Sequence, residues 1–227
     1  MFANGPFVLL DDAREEGAAT ARLYCDPVSV ISARNIEEME ACFSDLQDAR
    51  QAGLHIAGYL SYEAGLALEG RLRDRLPNVM PTPLAWFGVF TDYQELDNPT
   101  LLENLPDPTG AWLGRLQPGI SRSGYDAAFS KVQEYIRAGD IYQANLTFRA
   151  QARYAGHPLA LYTAVRERAK AGYGGVVYDG QDWTLSFSPE LFFALKDGRI
   201  TAEGVALVKS KLPSVDFTEF EKDPIVA

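Results

Sequence analysis

Gln143, Asn145 and Glu190 are the side chains whose type and placement point most directly to chemistry. Gln143 and Asn145 stand two apart in IYQANLTFRAQA (Ile141 to Ala152), where the even positions Tyr142, Ala144, Leu146, Phe148, Ala150 and Ala152 are apolar and the odd ones include Thr147, Arg149 and Gln151. That period-two alternation predicts one long strand with a core face and a polar face. Amides on the polar face offer donors and acceptors to a carboxylate or an amino group of a small ligand; the same pattern also suits a solvated strand face. Glu190 follows Pro189 in SFSPELFF, at the start of an apolar run read as a strand over 190–195. A desolvated carboxyl there holds its proton and can serve as general acid, the other reading being a plain surface glutamate.

The remaining standard arrangements are absent from the sequence. It contains no Walker A loop, GxGxxG, HExxH or GxSxG. His55 and His157 are the only histidines, which leaves little material for a nucleophile-base-acid triad. Cys25 and Cys42 are the only cysteines, lack CxxC spacing, and read as small buried hydrophobes rather than metal ligands or a disulfide framework. A net charge of −10, from 21 Lys and Arg against 31 Asp and Glu, argues against a nucleic-acid surface, which needs clustered cations. The start MFANGPFVLLDD has no basic segment followed by an apolar one, and no apolar run approaches the ~18 residues of a membrane helix. The expectation is a cytoplasmic globular protein with neither a membrane nor a nucleic acid as partner.

The elements that would position these residues follow from caps, periods and turn dipeptides. Phe7–Leu10 and Val28–Ser32 read as short strands, as does Ile56–Tyr62, where Gly58 marks a close approach of a neighbouring strand or a ligand. Asn35 with Glu38 makes a capping box, followed by the apolar stripe Met39, Cys42, Phe43, Leu46, Ala49 and the stop Gly53, which predicts an amphipathic helix. Leu84–Phe90 reads as a strongly apolar strand. Asp97–Gly110, with Pro99, Pro106 and Pro108, reads as a linker or surface loop and the best candidate for a subdomain boundary. Ser123 and Asp126 open a second helix, closed by Gly139, and Pro158 opens a third that buries Leu161, Tyr162 and Val165. Asp179-Gly180 and Asp197-Gly198 predict hairpins, with strands near 174–178, 183–187, 190–195 and 199–202. The fold class is therefore α+β with mostly antiparallel sheet, since tight hairpins join only antiparallel strands.

GDIYQANLT (Gly139 to Thr147), SFSPELFF (Ser186 to Phe193) and KDGRIT (Lys196 to Thr201) resemble, in order and spacing, the chorismate-binding enzymes, the family of anthranilate synthase component I and aminodeoxychorismate synthase component I. FVLLDDAR (Phe7 to Arg14) and GYLSYEAGLALE (Gly58 to Glu69) look like the aminodeoxychorismate branch. The resemblance implies two facing antiparallel sheets flanked by helices, and amination of chorismate with ammonia from a glutamine amidotransferase subunit. It places Glu190 as general acid and base at the departing hydroxyl. It also implies a tryptophan-type pocket in the amino-terminal half, built around Leu10 and Asp11, Tyr59 to Tyr62, and Tyr142, Gln143 and Asn145, with Asn145 as its preferred polar contact. The divisions expected are an amino-terminal subdomain over 1–97, a linker and edge strand over 98–122, the first part of a chorismate-binding domain over 123–202, and a tail over 203–227.

The same resemblance marks departures. The family's nucleophilic lysine motif would put its lysine at Ala206, and Lys209 stands three residues later. The carboxy-terminal half of relatives, which carries chorismate contacts and the acidic ligands of Mg2+, has no counterpart in this sequence. The expectation is a chain inactive on its own, with uncovered sheet edges and apolar surface. A non-catalytic ligand-binding or amidotransferase-docking module and an anthranilate synthase component I fragment are the alternatives.

Overall fold

A computed structural model describes residues 1–2, 5–78, 80–196 and 199–201. The chain forms β1 (Phe7–Asp11), β2 (Ala21–Cys25), β3 (Ser29–Ala33), α1 (Ile36–Gln51), β4 (His55–Leu60), α2 (Tyr62–Leu68), β5 (Ala85–Phe90), β6 (Gln94–Leu96) and α3 (Asn98–Asn104). It continues through β7 (Trp112–Leu113), β8 (Gln117–Pro118), α4 (Arg122–Ala138), β9 (Ala150–Gln151), β10 (Tyr154–Ala155) and α5 (Pro158–Ala169). The last described elements are β11 (Tyr173–Tyr178), β12 (Trp183–Ser188), β13 (Ala194–Lys196) and β14 (Arg199–Thr201). Among the described residues two compact units result: Met1–Leu105 together with the described chain from Val165 onward, and Pro106–Ala164.

The first unit is layered. A five-stranded antiparallel sheet runs β12-β11-β1-β2-β6, and a three-stranded one runs β3-β5-β4. Between them lie Val8, Tyr24 and Val177 from the larger sheet against Ala57, Trp86 and Phe90 from the smaller. The opposite face of the smaller sheet carries Ala33 and Ala85, packed with Met39 and Cys42 of α1 and Ala64 and Ala67 of α2. Strand β5 serves both layers because successive side chains point to opposite faces: Trp86 and Phe90 go to one cluster, Ala85 and Phe87 to the other. This is the α+β, mostly antiparallel arrangement the hairpins predicted.

Local signals explain several boundaries. Asn35 Oδ1 accepts from the Glu38 N–H at 2.9 Å, while a Glu38 carboxylate oxygen accepts from the Arg34 N–H, so α1 starts on its capping box. Gly53 and Gly139 both adopt the left-handed conformation (φ +79) just past α1 and α4. Asp179 Oδ1 accepts from the N–H groups of Gln181 and Asp182, and Gly180 takes φ +100, closing the β11–β12 hairpin. The turn expected at Asp197-Gly198 lies outside the described residues, although Lys196 and Arg199 on either side of it pair in the β13–β14 ladder.

Other expectations are corrected. Asp97–Gly110 is not merely a linker: Asp97 caps α3 by accepting from Thr100 N–H at 2.9 Å, Pro99 sits in the first turn, and Leu101 and Leu105 are buried. The prolines misled because a first-turn proline starts a helix rather than breaking one. The strand from Ile56 ends at Leu60, where Ser61 caps α2. Ser121, not Ser123, caps α4 through the Gly124 N–H at 3.1 Å. The strand expected over 190–195 is confined to Ala194–Lys196.

In the second unit, the long strand read over 141–152 reduces to Ala150–Gln151, paired with Gln117–Pro118. Alternation describes side chains only; a strand also needs a ladder partner for its backbone, and among the described residues 141–148 belong to no strand ladder. Helix α4 buries no residue, and Trp112, Leu116, Phe129 and Phe148 are exposed. Apolar surface is thus uncovered in this unit. Among the described residues no helix is long and apolar enough to cross a membrane.

Candidate functional site

A cleft of about 520 Å3 opens where β1 ends and β11 begins, walled by Leu10, Asp11, Asp12, Arg14, Arg22 and Gly172–Gly174. The register explains the meeting: Asp11 lies opposite Gly174 and Leu10 opposite Gly175 across the β1–β11 ladder. On the β11 side Gly172 and Gly174 flank Tyr173, which brings the one side chain of that edge to the wall. Gly174 also lies opposite Phe187 in β12, so the segment leading to Glu190 emerges from this end of the sheet.

Each of the two carboxylates in the wall is held by an arginine. Asp11, whose side chain is 1% exposed, accepts from Arg166 Nε at 2.6 Å and Arg166 Nη2 at 3.0 Å. Arg166 Nη2 also donates to Asn98 Oδ1 at 2.7 Å, so the network ties β1, α3 and α5 together. Side-on geometry with both oxygens engaged is the strong form of this contact.

Asp12 is held locally. Oδ1 accepts from the Arg14 N–H and Nε, and Oδ2 accepts from Arg14 Nη2 at 2.6 Å and the Ala19 N–H at 2.9 Å. The Arg14 side chain, outweighing the opposing effect of burial, together with the two backbone N–H groups lowers the Asp12 pKa from 3.8 to about 2. The folded form therefore prefers the carboxylate. Its stabilisation is present above pH ~4 and is lost as the pH falls through about 2, and it amounts to roughly 1–2 kcal/mol once the half-exposed Arg14 is discounted for solvent screening. Stability measured by urea titration between pH 5 and pH 2 is expected to fall less steeply in Asp12→Asn than in the unaltered chain. Equal slopes would remove Asp12 as a contributor.

The positions singled out from the sequence divide among these surroundings. Leu10 and Asp11 line the cleft, Leu10 partly exposed and Asp11 buried. Tyr59 is half-buried against the inter-sheet cluster, and burial raises its phenol pKa, whereas Tyr62 is 85% exposed. Tyr142, Gln143 and Asn145 belong to the second unit, are all exposed, and share no strand face. Glu190 stands exposed in a bend after β12; its N–H and carbonyl both meet the Ser188 hydroxyl, at 3.4 and 3.0 Å. The desolvation expected at Glu190 is thus not provided, because no strand carries it into the core. Ala206 and Lys209 lie outside the described residues.

Arg166, Arg14 and Asn98 were not foreseen. Arg166 had a signal: Leu159, Tyr162, Thr163 and Arg166 follow helical spacing and are all buried, and an arginine on a buried stripe requires an acidic partner. Among the described residues no group of three His, Cys, Asp or Glu side chains converges to hold a metal ion.

Two facing antiparallel sheets with helices on the outer face define an α+β fold of the anthranilate synthase component I type. The solved anthranilate synthase component I from Streptococcus pneumoniae TIGR4 has this fold, with a TM-score of 0.55 at 17% identity over 92% of this chain and 60% of that chain. The family model for chorismate binding enzyme matches residues 5–206, and the chain belongs to that family. Anthranilate synthase component 1 of Thermus thermophilus is 32% identical over 105 residues, 46% of this chain and 23% of that protein. Aminodeoxychorismate synthase component 1 of Escherichia coli is 30% identical over 97 residues, 43% of this chain and 21% of that protein. The matched segments thus span under a quarter of these curated relatives.

Proposed function

We propose that this chain is the amino-terminal part of an aminodeoxychorismate synthase component I-like protein of folate biosynthesis in the cytoplasm. The family reaction is replacement of the chorismate C4 hydroxyl by an amino group. The observation that carries this reading is the aspartate pair closing β1: LLDDAR is the opening that resembles the aminodeoxychorismate branch, and both its aspartates are built into the cleft wall. Similarity to the Escherichia coli aminodeoxychorismate synthase component 1 supports it. In this reading chorismate is the substrate, a glutamine amidotransferase subunit supplies ammonia, and Glu190 protonates the departing hydroxyl. Leu10, Asp11, Tyr142, Gln143 and Asn145 serve ligand binding, for which tryptophan is one candidate. With Glu190 exposed after β12, the chain alone is expected to turn over no chorismate.

Similarity to the Thermus thermophilus anthranilate synthase component 1 favours a second reading, an anthranilate-forming relative. The test uses the purified chain, and a graft of residues 5–201 onto the remainder of the Escherichia coli relative. Each is supplied with chorismate, ammonia and Mg2+, and products are identified by mass. The proposal expects no product from the chain, and 4-amino-4-deoxychorismate from the graft that falls at least ~100-fold in Glu190→Gln. Anthranilate from either sample would overturn it in favour of the second reading, and an undiminished Glu190→Gln would remove Glu190 from the chemistry.

A further inference from the structure

β3 is one edge of the three-stranded sheet β3-β5-β4, and among the described residues no strand pairs with its outer side. A free edge is a template for another strand, and it is ordinarily blunted by short length, charge or proline. The edge strand β6 of the larger sheet has that protection, being three residues long and carrying Glu95. β3 has none of it: Ser29–Ala33 reads SVISA, without a charge, a proline or a glycine. The Val28 N–H donates to the Val89 carbonyl at 2.8 Å, which fastens the residue before the strand to β5 as well. Ile31 and Ala33 pack on the α1 side of the sheet with Met39 and Cys42. Val28 and Val30 are left 58% and 46% exposed, because the side chains that meet the larger sheet come from β4 and β5.

Asp26 stands in the bend before β3 and Arg34 directly after the strand. Both are exposed, and among the described residues neither side chain enters an ion pair. A strand with an acid at one end and a base at the other is self-complementary when it lies antiparallel to its own copy. We propose that β3 is a self-association edge: two copies of this chain join through antiparallel β3 pairing, so that two three-stranded sheets become one sheet of six strands. A two-fold axis at Val30 sets Val30 against Val30 of the second copy, Val28 against its Ser32, and Asp26 against its Arg34, the last contact being made at both ends. A second copy is the occupant because this single register covers the valines and matches both charges. The paired strands are short, which places the contact in the small, reversible class of interface, with dimers forming at roughly 100 µM and dissociating near roughly 1 µM.

Sedimentation velocity over that concentration range measures the association, with circular dichroism confirming that each variant is folded. Residue 30 faces itself across the axis, so Val30→Lys and Val30→Glu alone are each expected to weaken association at least ~10-fold, like charges being directly opposed, and to associate when mixed in equal amounts. Arg34→Glu, which alters a side chain beyond the strand, is expected to weaken it in the same direction. Phe129→Asp, on the exposed surface of α4, is expected to leave it unchanged. A chain that stays monomeric at the upper concentration, two Val30 variants that do not associate when mixed, undiminished association in Arg34→Glu, or association abolished by Phe129→Asp overturns the proposal.

Discussion

Arg166→Met is expected to cost about 3–5 kcal/mol of folding stability, because it strands an almost fully buried Asp11 carboxylate. The loss is larger than the pair itself contributes: with the guanidinium gone, Asp11 must either take up a proton or remain charged with much of its hydrogen bonding removed. Adding Asp11→Asn to Arg166→Met is therefore expected to recover a substantial part of the loss, since the second change removes the stranded charge. Urea unfolding of the two single variants and the double variant measures this directly. A single-variant cost under about 1 kcal/mol would mean that the end of β1 is wetter than the geometry shows. The same change removes the Arg166 donor from Asn98, so α3 is expected to lose part of its anchorage to α5.

Gly58→Ala is expected to cost about 3 kcal/mol, the upper end of the usual overpacking range. An added Cβ would stand 2.1 Å from the Trp86 carbonyl oxygen and 2.7 Å from Phe87 Cα. Both are backbone atoms of the neighbouring strand, paired in register with Tyr59 and Gly58, so neither can swing aside as a side-chain tip would. Trp86 also fills the cluster between the sheets, and displacing its backbone disturbs Val8 and Phe90 with it. Denaturant midpoints of the two proteins test this; a midpoint unchanged within error would show that β4 can separate from β5 at little cost.

Gly58 also shows how far the sequence could be read. A glycine inside an otherwise well-formed strand signals a close approach, but composition could not separate a strand from a ligand, and the neighbour proved to be β5. Elements defined by local chemistry were legible for the same reason: the Asn35–Glu38 box, the left-handed glycines after α1 and α4, and the Asp179-Gly180 turn each depend on residues within a few positions. The segment 141–152 was misread because its alternation is also local, whereas the missing ingredient, a partner strand, is not. Within the candidate site Leu10 and Asp11 were found, but Arg166, which holds Asp11, comes from α5, and Asn98 at the start of α3 holds Arg166 in turn, both far along the chain. Glu190 was legible as a position and not as an environment, since its exposure depends on where the chain goes after β12.

The pairing of β1 has a consequence for synthesis of the chain on the ribosome. β1 sits in the middle of the five-stranded sheet, between β2 and β11, and the Asp11–Arg166 link spans 155 residues. β2 can join β1 early, but the other edge of β1 stays open until β11 has been made. At ordinary translation speeds that wait is roughly ten to thirty seconds. During that interval an apolar strand stands with one edge unpaired, the condition under which strands join the wrong neighbour. Asp11 at the end of β1 places a charge at that waiting edge before Arg166, its final partner, has been made.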